Sequence, residues 1–337
     1  MKRPVIIVLI MFLCTMIYGA KIATLPELSK PVTMTMDDSQ MYITEKTTIF
    51  VYSLKDFKFK FKFGKAGEGP QEFRPIQVLG VMVVPQDKSL FIASQGKVSY
   101  FTKDGKFIRE LRTPPEAQLY GIFQPIGDKY IGLCVTVDQS QKTNMVTNLY
   151  DANMNKIKQL TSKERIGVGG GEIPVSPNVF SSIGTNLLSM NDDKEFAFDI
   201  INLDGKTIAS YSHPYEPIKL TEDFKTRYFK TVESVPEAKP FMDYIKKITK
   251  FRTYFPVIQA LQVFDNKIYA LTYKYKDGKA EFFIFDSKAK FLKQVFLPLS
   301  YVDGIVPVPF TIKKDRVYQI EENDETEEYE LHSYEIK

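Results

Sequence analysis

The sequence is poor in the residues that most often build catalytic and metal centres. Its 337 residues include two histidines, two cysteines and no tryptophan. His213 and His332 stand apart, and the sequence contains neither a Gly-x-Ser-x-Gly nucleophile motif nor a zinc-type cluster. It therefore specifies no catalytic residue, no metal ligand and no cofactor, and an enzyme is the less favoured class of function.

An excess of one charge is also missing. The chain has 45 Lys and Arg against 41 Asp and Glu, a formal charge of +4. Two of these cations, Lys2 and Arg3, lie in a segment that we expect to be removed, which lowers the value from +4 to +2. Nucleic-acid binding usually requires a clearly basic domain or patch, so we expect no nucleic-acid partner.

The first twenty residues have the pattern of an export signal. Two cations precede an almost wholly apolar run from Val5 to Tyr18, and Gly19-Ala20 supplies small residues before a cleavage point. The run is shorter than the roughly 20 residues of a spanning helix, which favours cleavage over a retained anchor. We predict a signal peptide at 1–20, a mature domain at 21–337 without a stable membrane span, and a periplasmic or secreted location.

Cleavage at that point would leave Cys134 as the single cysteine. One thiol cannot form an intramolecular disulfide, and its apolar neighbours from Ile131 to Val135 indicate a buried strand residue. An exported protein of this size without disulfides fits a bacterial periplasm better than a disulfide-rich secretion route.

A turn motif recurs along the chain. The clearest copies are Phe101–Phe107 and Asn202–Ile208, and looser ones lie at 52–57, 150–157 and 285–291. Each copy places polar turn residues between two strand-like runs, which is the signal of a hairpin. The copies are about 50 residues apart, except for a longer gap before the last, and four strands per repeat of that length are typical of a propeller blade.

Six such units can be counted, beginning near Val32, Ile76, Leu119, Val179, Val257 and Val306. The last unit has room for only three strands before Lys337, and the segment Ile22–Leu28 can supply the fourth. We therefore predict an all-β fold, a six-bladed β-propeller closed by its two chain ends.

The longer gap coincides with a helical insert, residues 219–251, between blades 4 and 5. Leu220, Phe224 and Tyr228 recur at helical spacing after Thr221, a candidate N-cap, and Pro240 can open a second helix. The insert is either a lid or docking element, or a hairpin that simply packs on the blades.

Residues 61–75 carry a Phe-Gly pair, a glycine-rich loop with Gly69-Pro70 and Glu72-Phe73, and a Phe-x-x-Asp-Gly turn follows at 101–105. This order resembles the NHL-type repeat and the bacterial "6-bladed β-propeller" family. The resemblance is convincing over 61–112 and looser over 160–210. It implies the fold and says little about activity, because fold does not fix function.

In propellers of this kind, the connections between blades and the middle hairpin loops share one face. That face would collect the connections 64–75, 112–118 and 163–178, the insert, and the hairpin loops 138–144, 191–195, 274–279 and 322–328. The binding residues predicted on it are Lys65, Glu68, Gln71, Glu72, Arg74, Tyr228 and Lys246.

Three further patterns have a structural interpretation. The alternation of Phe and Lys over 57–63 indicates an outer strand with one solvated face. The acidic run from Glu321 to Glu330 indicates a solvated hairpin tip rather than a calcium loop, because the spacing of a known loop is absent. The glycines at 167–171 indicate a turn between blades, since no Gly-Lys-Ser/Thr follows.

These observations favour a non-enzymatic binding or scaffold protein that recognises a protein, peptide or glycan on its loop face. The alternative is a calcium-dependent hydrolase or lyase with its site in the axial channel, where carboxylates and amides would hold the metal. Side chains converging on the axis would favour the enzyme, whereas an apolar or aromatic face would favour the binder. The sequence does not determine the oligomeric state.

Overall fold

Four-stranded antiparallel sheets make up just over half of the residues that the structure describes. The computed structural model describes residues 20–76, 80–117, 121–137, 143–164, 172–174, 181–190, 194–235, 238–302 and 304–337. Within these residues, six sheets of four strands and three short two-stranded pairs are formed. We number the large sheets as blades 1 to 6 in chain order.

The first three blades use short strands in simple sequence order. The chain starts with β1 (Ala20–Thr24), and blade 1 follows with β2 (Thr33–Met36), β3 (Gln40–Glu45), β4 (Thr48–Ser53) and β5 (Phe59–Phe63). The connection to blade 2 holds β6 (Lys65–Ala66) and β7 (Glu72–Phe73). Blade 2 consists of β8 (Met82–Pro85), β9 (Ser89–Ser94), β10 (Lys97–Thr102) and β11 (Phe107–Arg112). After a 3-10 turn at Pro115–Ala117, blade 3 consists of β12 (Gly121–Ile126), β13 (Lys129–Val137), β14 (Thr143–Tyr150) and β15 (Lys156–Glu164).

The second half of the ring contains the helices. After β16 (Glu172–Ile173), blade 4 consists of β17 (Ser182–Ile183), β18 (Asn186–Ser189), β19 (Phe196–Ile201) and β20 (Thr207–His213). Then come α1 (Glu222–Glu233), a 3-10 turn at Lys239–Phe241, α2 (Met242–Ile248) and β21 (Lys250–Phe251). Blade 5 consists of β22 (Ile258–Phe264), β23 (Lys267–Lys276), β24 (Lys279–Phe285) and β25 (Phe291–Pro298), and β26 (Tyr301–Val302) and β27 (Val306–Pro307) follow. Blade 6 consists of β28 (Phe310–Lys313), β29 (Arg316–Asn323) and β30 (Glu328–Glu335), completed by β1.

The core lies between the blades. The middle strands are continuous apolar runs with both faces covered, as in β3 and β9, where Met41–Ile43 and Leu90–Ala93 have no exposed surface. The outer strands alternate instead. On β5 the lysines are exposed and Phe61 and Phe63 are half-buried, which confirms the predicted outer strand.

The ring closes through the two chain ends, as predicted. β1 pairs antiparallel with β30, with Ala20 opposite Ser333 and Thr24 opposite Glu330, and β2 of blade 1 lies against β28. The predicted closing strand Ile22–Leu28 was placed too far along the chain. After Thr24 the backbone turns, and Leu25 and Leu28 insert into the core between blades 6 and 1. The fold is a six-bladed β-propeller.

The helical insert lies between blades 4 and 5, as predicted. Thr221 caps α1, because its Oγ1 accepts a hydrogen bond from the Phe224 amide at 3.2 Å. The insert is held against the ring by two kinds of contact, buried side chains and a strand pair. Phe224 and Met242 are buried, and β21 pairs in parallel with β16, with Ile173 opposite Phe251.

Three other predicted features are the acidic run, the buried cysteine and the glycines at 167–171. The acidic run forms the hairpin of β29 and β30, and its exposed tip at 324–328 confirms the prediction, whereas Glu330 is buried and pairs with Lys21 at 2.7 Å. Cys134 is buried, as predicted. The glycines at 167–171 lie outside the described residues.

Candidate functional site

Two regions of one propeller face, one between blades 1 and 2 and the other between blades 4 and 5, carry the candidate sites. Because the strands of each blade run antiparallel, the connections between blades and the middle hairpin turns emerge at the same end. We call this end the loop face. It includes the glycine-rich connection, residues 64–76, the insert connection, residues 214–257, and the β23–β24 turn at 277–278.

The glycine-rich connection satisfies most of its charges internally. Lys65 pairs with Glu72 at 2.9 Å, and the second carboxylate oxygen of Glu72 accepts from the Gly69 amide at 2.9 Å. The Lys65 ammonium lowers the pKa of Glu72 through its hydrogen bond. Arg74 pairs with Glu68 at 3.1 Å. Four of the five residues predicted here are therefore engaged with one another.

Its glycines are required by close packing. Gly67 has a φ of +150°, and a Cβ there would lie 2.1 Å from the Glu72 carboxylate. Gly64 has a φ of +87°, and a Cβ there would lie 2.5 Å from the Thr47 carbonyl oxygen. Gly64 excludes a side chain because a backbone oxygen occupies the space, whereas at Gly67 the positive φ disfavours other residues and a Cβ would displace the Glu72 carboxylate from its contacts.

A buried lysine holds this connection against blade 2. The Lys97 ammonium donates to the Gly69 carbonyl at 2.7 Å and to Glu110 at 2.8 Å. The cleft beside it, which Glu68 and Arg74 also line, has a volume of about 220 Å³. A cleft of this size, lined by paired charges, is small for a ligand site.

A much larger cavity lies between the insert and blade 5. It has a volume of about 990 Å³ and extends from Gln259 at the start of β22 to Gln294 on β25. The chain leaving β20 and helix α1 form one side, and the connection after blade 5 forms the other. We call this cavity the insert pocket.

A buried carboxylate forms the floor of the insert pocket. Glu281 on β24 has 0% exposed surface. Its Oε2 accepts hydrogen bonds from the Tyr215 hydroxyl at 2.5 Å and from Thr272 at 2.8 Å, and its Oε1 accepts from the Gln294 amide at 2.6 Å. The Lys274 ammonium lies 3.5 Å away. These partners offset the cost of burying the Glu281 carboxylate. Burial, together with the hydrogen bond to Glu281, raises the pKa of Tyr215.

An irregularity in β23 places these groups. Leu271 pairs with Phe282 and Tyr275 with Ala280, so the three residues Thr272–Lys274 lie opposite Glu281 alone. Extra residues of this kind re-aim side chains at the end of a sheet. Here they direct Tyr273 and Lys274 to the pocket.

The walls are aromatic. Tyr273 stacks on Phe255, with ring centroids 4.4 Å apart and planes at 24°. Tyr275 meets Tyr301 edge to face at 5.5 Å, and the Tyr301 hydroxyl donates to Gln259 at 3.1 Å. Burial raises the pKa of Tyr273 and of Tyr301, so both remain neutral phenols at physiological pH.

Helix α1 closes the outer side of the pocket through Arg227. This side chain pairs with Asp223 at 2.7 Å and donates to the Gly304 carbonyl at 3.0 Å, which joins the helix to the turn between β26 and β27. Phe224 packs edge to face on Phe255 at 4.9 Å. The insert is thus both packed on the blades and part of a cavity wall.

The seven residues predicted for binding do not form one site. Lys65, Glu68, Gln71, Glu72 and Arg74 lie together in the glycine-rich connection, and Gln71 is exposed with a φ of 66°. Tyr228 packs against Phe229 and Phe251 inside the insert, and Lys246 is exposed on α2. None of the seven lines the insert pocket.

Sequence reasoning missed the residues that do line it, chiefly Tyr215, Gln259, Tyr273, Tyr275, Glu281 and Tyr301. Two features of the sequence indicated the region of the pocket without identifying its residues. The extra length of the connection marked the insert, and the hairpin loop 274–279 was assigned to the same face.

The described part of the chain contains neither a cluster of metal-ligating side chains nor a membrane-spanning helix. No three His, Cys, Asp or Glu side chains there are grouped as metal ligands would be. No helix among those residues has the length and apolar character needed to cross a bilayer.

A match to one family model supports the fold. A family model described as DUF5128, 6-bladed beta-propeller, matches residues 27–189, just under half of the chain. No curated protein matches. The duf4221 family member from Bacteroides vulgatus is 10% identical, with a TM-score of 0.45 over 94% of this chain and 96% of that one.

Two fungal structures are also similar. Kluyveromyces lactis Hsv2 is 10% identical, with a TM-score of 0.40 over 91% of this chain and 99% of its own. The WD40 domain of Neurospora crassa Pan2 is 9% identical, with a TM-score of 0.39 over 86% and 75%. All these TM-scores are below 0.5, so the similarities say nothing about ligands or partners.

Proposed function

We propose that this chain is an exported, non-enzymatic binding or scaffold propeller, NHL-like and located in a bacterial cell envelope. Its partner, a protein, peptide or glycan, would be held in the insert pocket. The observation that carries the proposal is the pocket itself, about 990 Å³ with aromatic walls and a few fixed polar groups. Concave, largely aromatic cavities with a small number of placed polar groups are the usual form of ligand sites.

The state of Glu281 supports binding over catalysis. A general acid or base must reach a proton of the substrate. Both oxygens of this carboxylate are occupied by Tyr215, Thr272 and Gln294, and none of its surface is exposed. It acts as a fixed anchor that orients the polar groups around it.

The N-terminal pattern supports export. The apolar run and small residues of 1–20 end at the first residue of β1, so cleavage after Ala20 would remove that residue alone from the strand and leave Lys21–Thr24 to pair with β30. The buried thiol of Cys134, single after cleavage, is compatible with an oxidising compartment, because it is shielded from intermolecular pairing.

Export can be tested on the full-length chain with a C-terminal tag in a bacterial host. We expect the tagged protein in the periplasmic fraction or the medium, with an N-terminal sequence that starts at Lys21. An intact Met1 terminus in the cytoplasmic fraction would contradict export.

Binding can be tested by blocking the pocket. Glu216→Cys places a thiol at the exposed pocket rim, and Tyr244→Cys places one on α2 away from the pocket. The native Cys134 is buried and should not react. A bulky maleimide on Glu216→Cys should abolish capture of components from an envelope extract, and the same label on Tyr244→Cys should not. Equal capture by both labelled proteins would overturn the pocket as the binding site.

A further inference from the structure

We infer that the insert pocket takes an uncharged, hydroxyl-rich ligand with apolar C–H faces, which is the chemistry of an oligosaccharide. This inference rests on the proposed binding function and names the ligand class for the same site. It follows from three properties of the pocket: its charges are paired, its free hydrogen-bonding groups are neutral, and its walls are flat aromatic rings.

The charged side chains inside the pocket are already matched. Lys274 lies 3.5 Å from Glu281, and Arg227 pairs with Asp223 at 2.7 Å while it also donates to the Gly304 carbonyl. A charged ligand would have to compete with these pairs, and an anion bound to Lys274 would leave the fully buried Glu281 carboxylate without its cation, which is costly. The other acidic side chain of the pocket, Glu216, is exposed at the rim.

The hydrogen-bonding groups that remain for a ligand are neutral, and they include both donors and acceptors. Within the described residues, the Tyr273 hydroxyl makes no hydrogen bond. The Tyr301 hydroxyl donates to the Gln259 oxygen, which leaves the Gln259 amide nitrogen as a free donor. The Gln294 nitrogen donates to Glu281, which leaves the Gln294 oxygen as a free acceptor. A hydroxyl group can donate and accept at once, so it satisfies such a mixed set.

Flat apolar surfaces lie beside these groups. Tyr273 is held in position by its stacking on Phe255, and Tyr275 by its edge contact with Tyr301. Aromatic rings carry a negative face, which attracts the slightly positive hydrogens of C–H groups. A sugar ring offers such C–H faces between hydroxyl groups, and it matches this alternation of ring faces and neutral polar groups.

A peptide fits less well. Strand addition needs a row of free backbone groups, and the connection beside the pocket contains Pro214 and Pro217, which have no N–H to donate. A proline-rich peptide offers only carbonyl acceptors from its prolines and would leave the Gln294 oxygen without a donor.

The inference can be tested by calorimetry on the full chain purified after export. The neutral probes are cello-, xylo-, manno- and malto-tetraose. The contrasting probes are tetragalacturonate, a chitosan tetramer and a proline-rich decapeptide. Tyr273→Phe removes only a hydroxyl and retains the stacked ring, and Gln259→Leu removes the free donor together with the acceptor of the Tyr301 hydroxyl. Tyr244→Phe is the matched control, because Tyr244 is 61% exposed on α2 outside the pocket.

We expect at least one neutral tetraose to bind, with affinity reduced about tenfold by Tyr273→Phe and by Gln259→Leu and unchanged by Tyr244→Phe. Binding of a charged probe or of the peptide instead, with the same sensitivity to the pocket variants, would overturn the ligand class and leave the binding function standing. If a neutral tetraose binds and neither Tyr273→Phe nor Gln259→Leu changes its affinity, the pocket is not the binding site, and the proposed function is overturned with it. If none of the neutral tetraoses binds at about millimolar concentration, the ligand class is overturned. The capture experiment with the blocked pocket decides the binding function separately.

Discussion

The glycine-rich connection and the insert connection lie on the same face of the propeller and differ in how they use their polar groups. In the first, Lys65, Glu68, Glu72 and Arg74 pair with one another around tightly packed glycines, and the remaining cleft is about 220 Å³. In the second, a longer segment spans the gap to blade 5 and encloses about 990 Å³. The glycine-rich connection, which carries the conspicuous motif, is mainly structural, whereas the plainer insert connection encloses the candidate site.

The physical reason is length. A short connection between two packed blades lies tightly against them, so its backbone and its few charges are satisfied by the blades and by one another. An insert with two helices has its own apolar face, which packs through Phe224 and Met242, and its remaining side chains can line a cavity. A motif that stands out in the sequence can therefore mark a turn whose backbone geometry and close packing few residues allow.

The largest expected effect tests the structural role of the first connection. Phe73 has 0% exposed surface and packs on Phe101 at 5.9 Å. Phe73→Ala should lower the free energy of unfolding by about 3–5 kcal/mol, because it removes a large buried ring and leaves a cavity. Urea unfolding measures this loss. Ligand affinity of the folded variant should not change, and a lost affinity would break the distinction between the two connections.

A smaller effect is expected at the floor of the insert pocket. Glu281→Gln places an amide nitrogen where Glu281 accepts hydrogen bonds, so at least one buried group loses its partner. The free energy of unfolding should fall by about 1–3 kcal/mol, and ligand affinity should fall with it. Thermal melts and calorimetry give the two values. Glu325→Gln, at an exposed turn, is the control. A variant as stable as the parent would mean that the carboxylate anchors nothing.

The smallest effect concerns the pH dependence of the glycine-rich connection. The pKa of Glu72 is lowered by Lys65 in the folded chain, so its ionised form is favoured by folding. That stabilisation is present above the pKa of an unfolded glutamate and is lost as the pH falls through the lower folded value.

Melts of the parent and of Glu72→Gln should therefore differ at neutral pH and converge in acid, and the difference should shrink with added salt. Glu216→Gln, in the insert connection, is the matched control, since Glu216 makes no ion pair with a described residue. A difference that persists unchanged in acid would mean that Glu72 acts through packing alone.

Much of the fold was predictable because its signals are local. The recurrent turns, the Phe and Lys alternation of β5 and the N-cap Thr221 each depend on residues within a few positions of one another. The closing strand was predicted in its role and misplaced in its bounds. Leu25 looks like a continuation of the strand, and its burial between blades 6 and 1 depends on residues at both chain ends.

The candidate site was much less predictable. Glu281 lies in an apolar strand segment next to Phe282 and Phe283, where nothing in the local pattern indicates a binding floor. Its partner Tyr215 is 66 residues earlier in the chain, and Gln294 is on the next strand. The predicted residues Lys65 and Glu72 have the polar character of a site, and only their mutual distance reveals that they are paired.

The sequence by itself determined the repeat, the number of blades, the place of the insert and the means of closure, because hydrophobic period and turn chemistry act over a few residues. Only the tertiary structure decided which polar groups are paired and which are free, since those distances are set by how separate blades and the insert pack together. The insert pocket belongs to this second class, and so does the self-pairing of the glycine-rich connection.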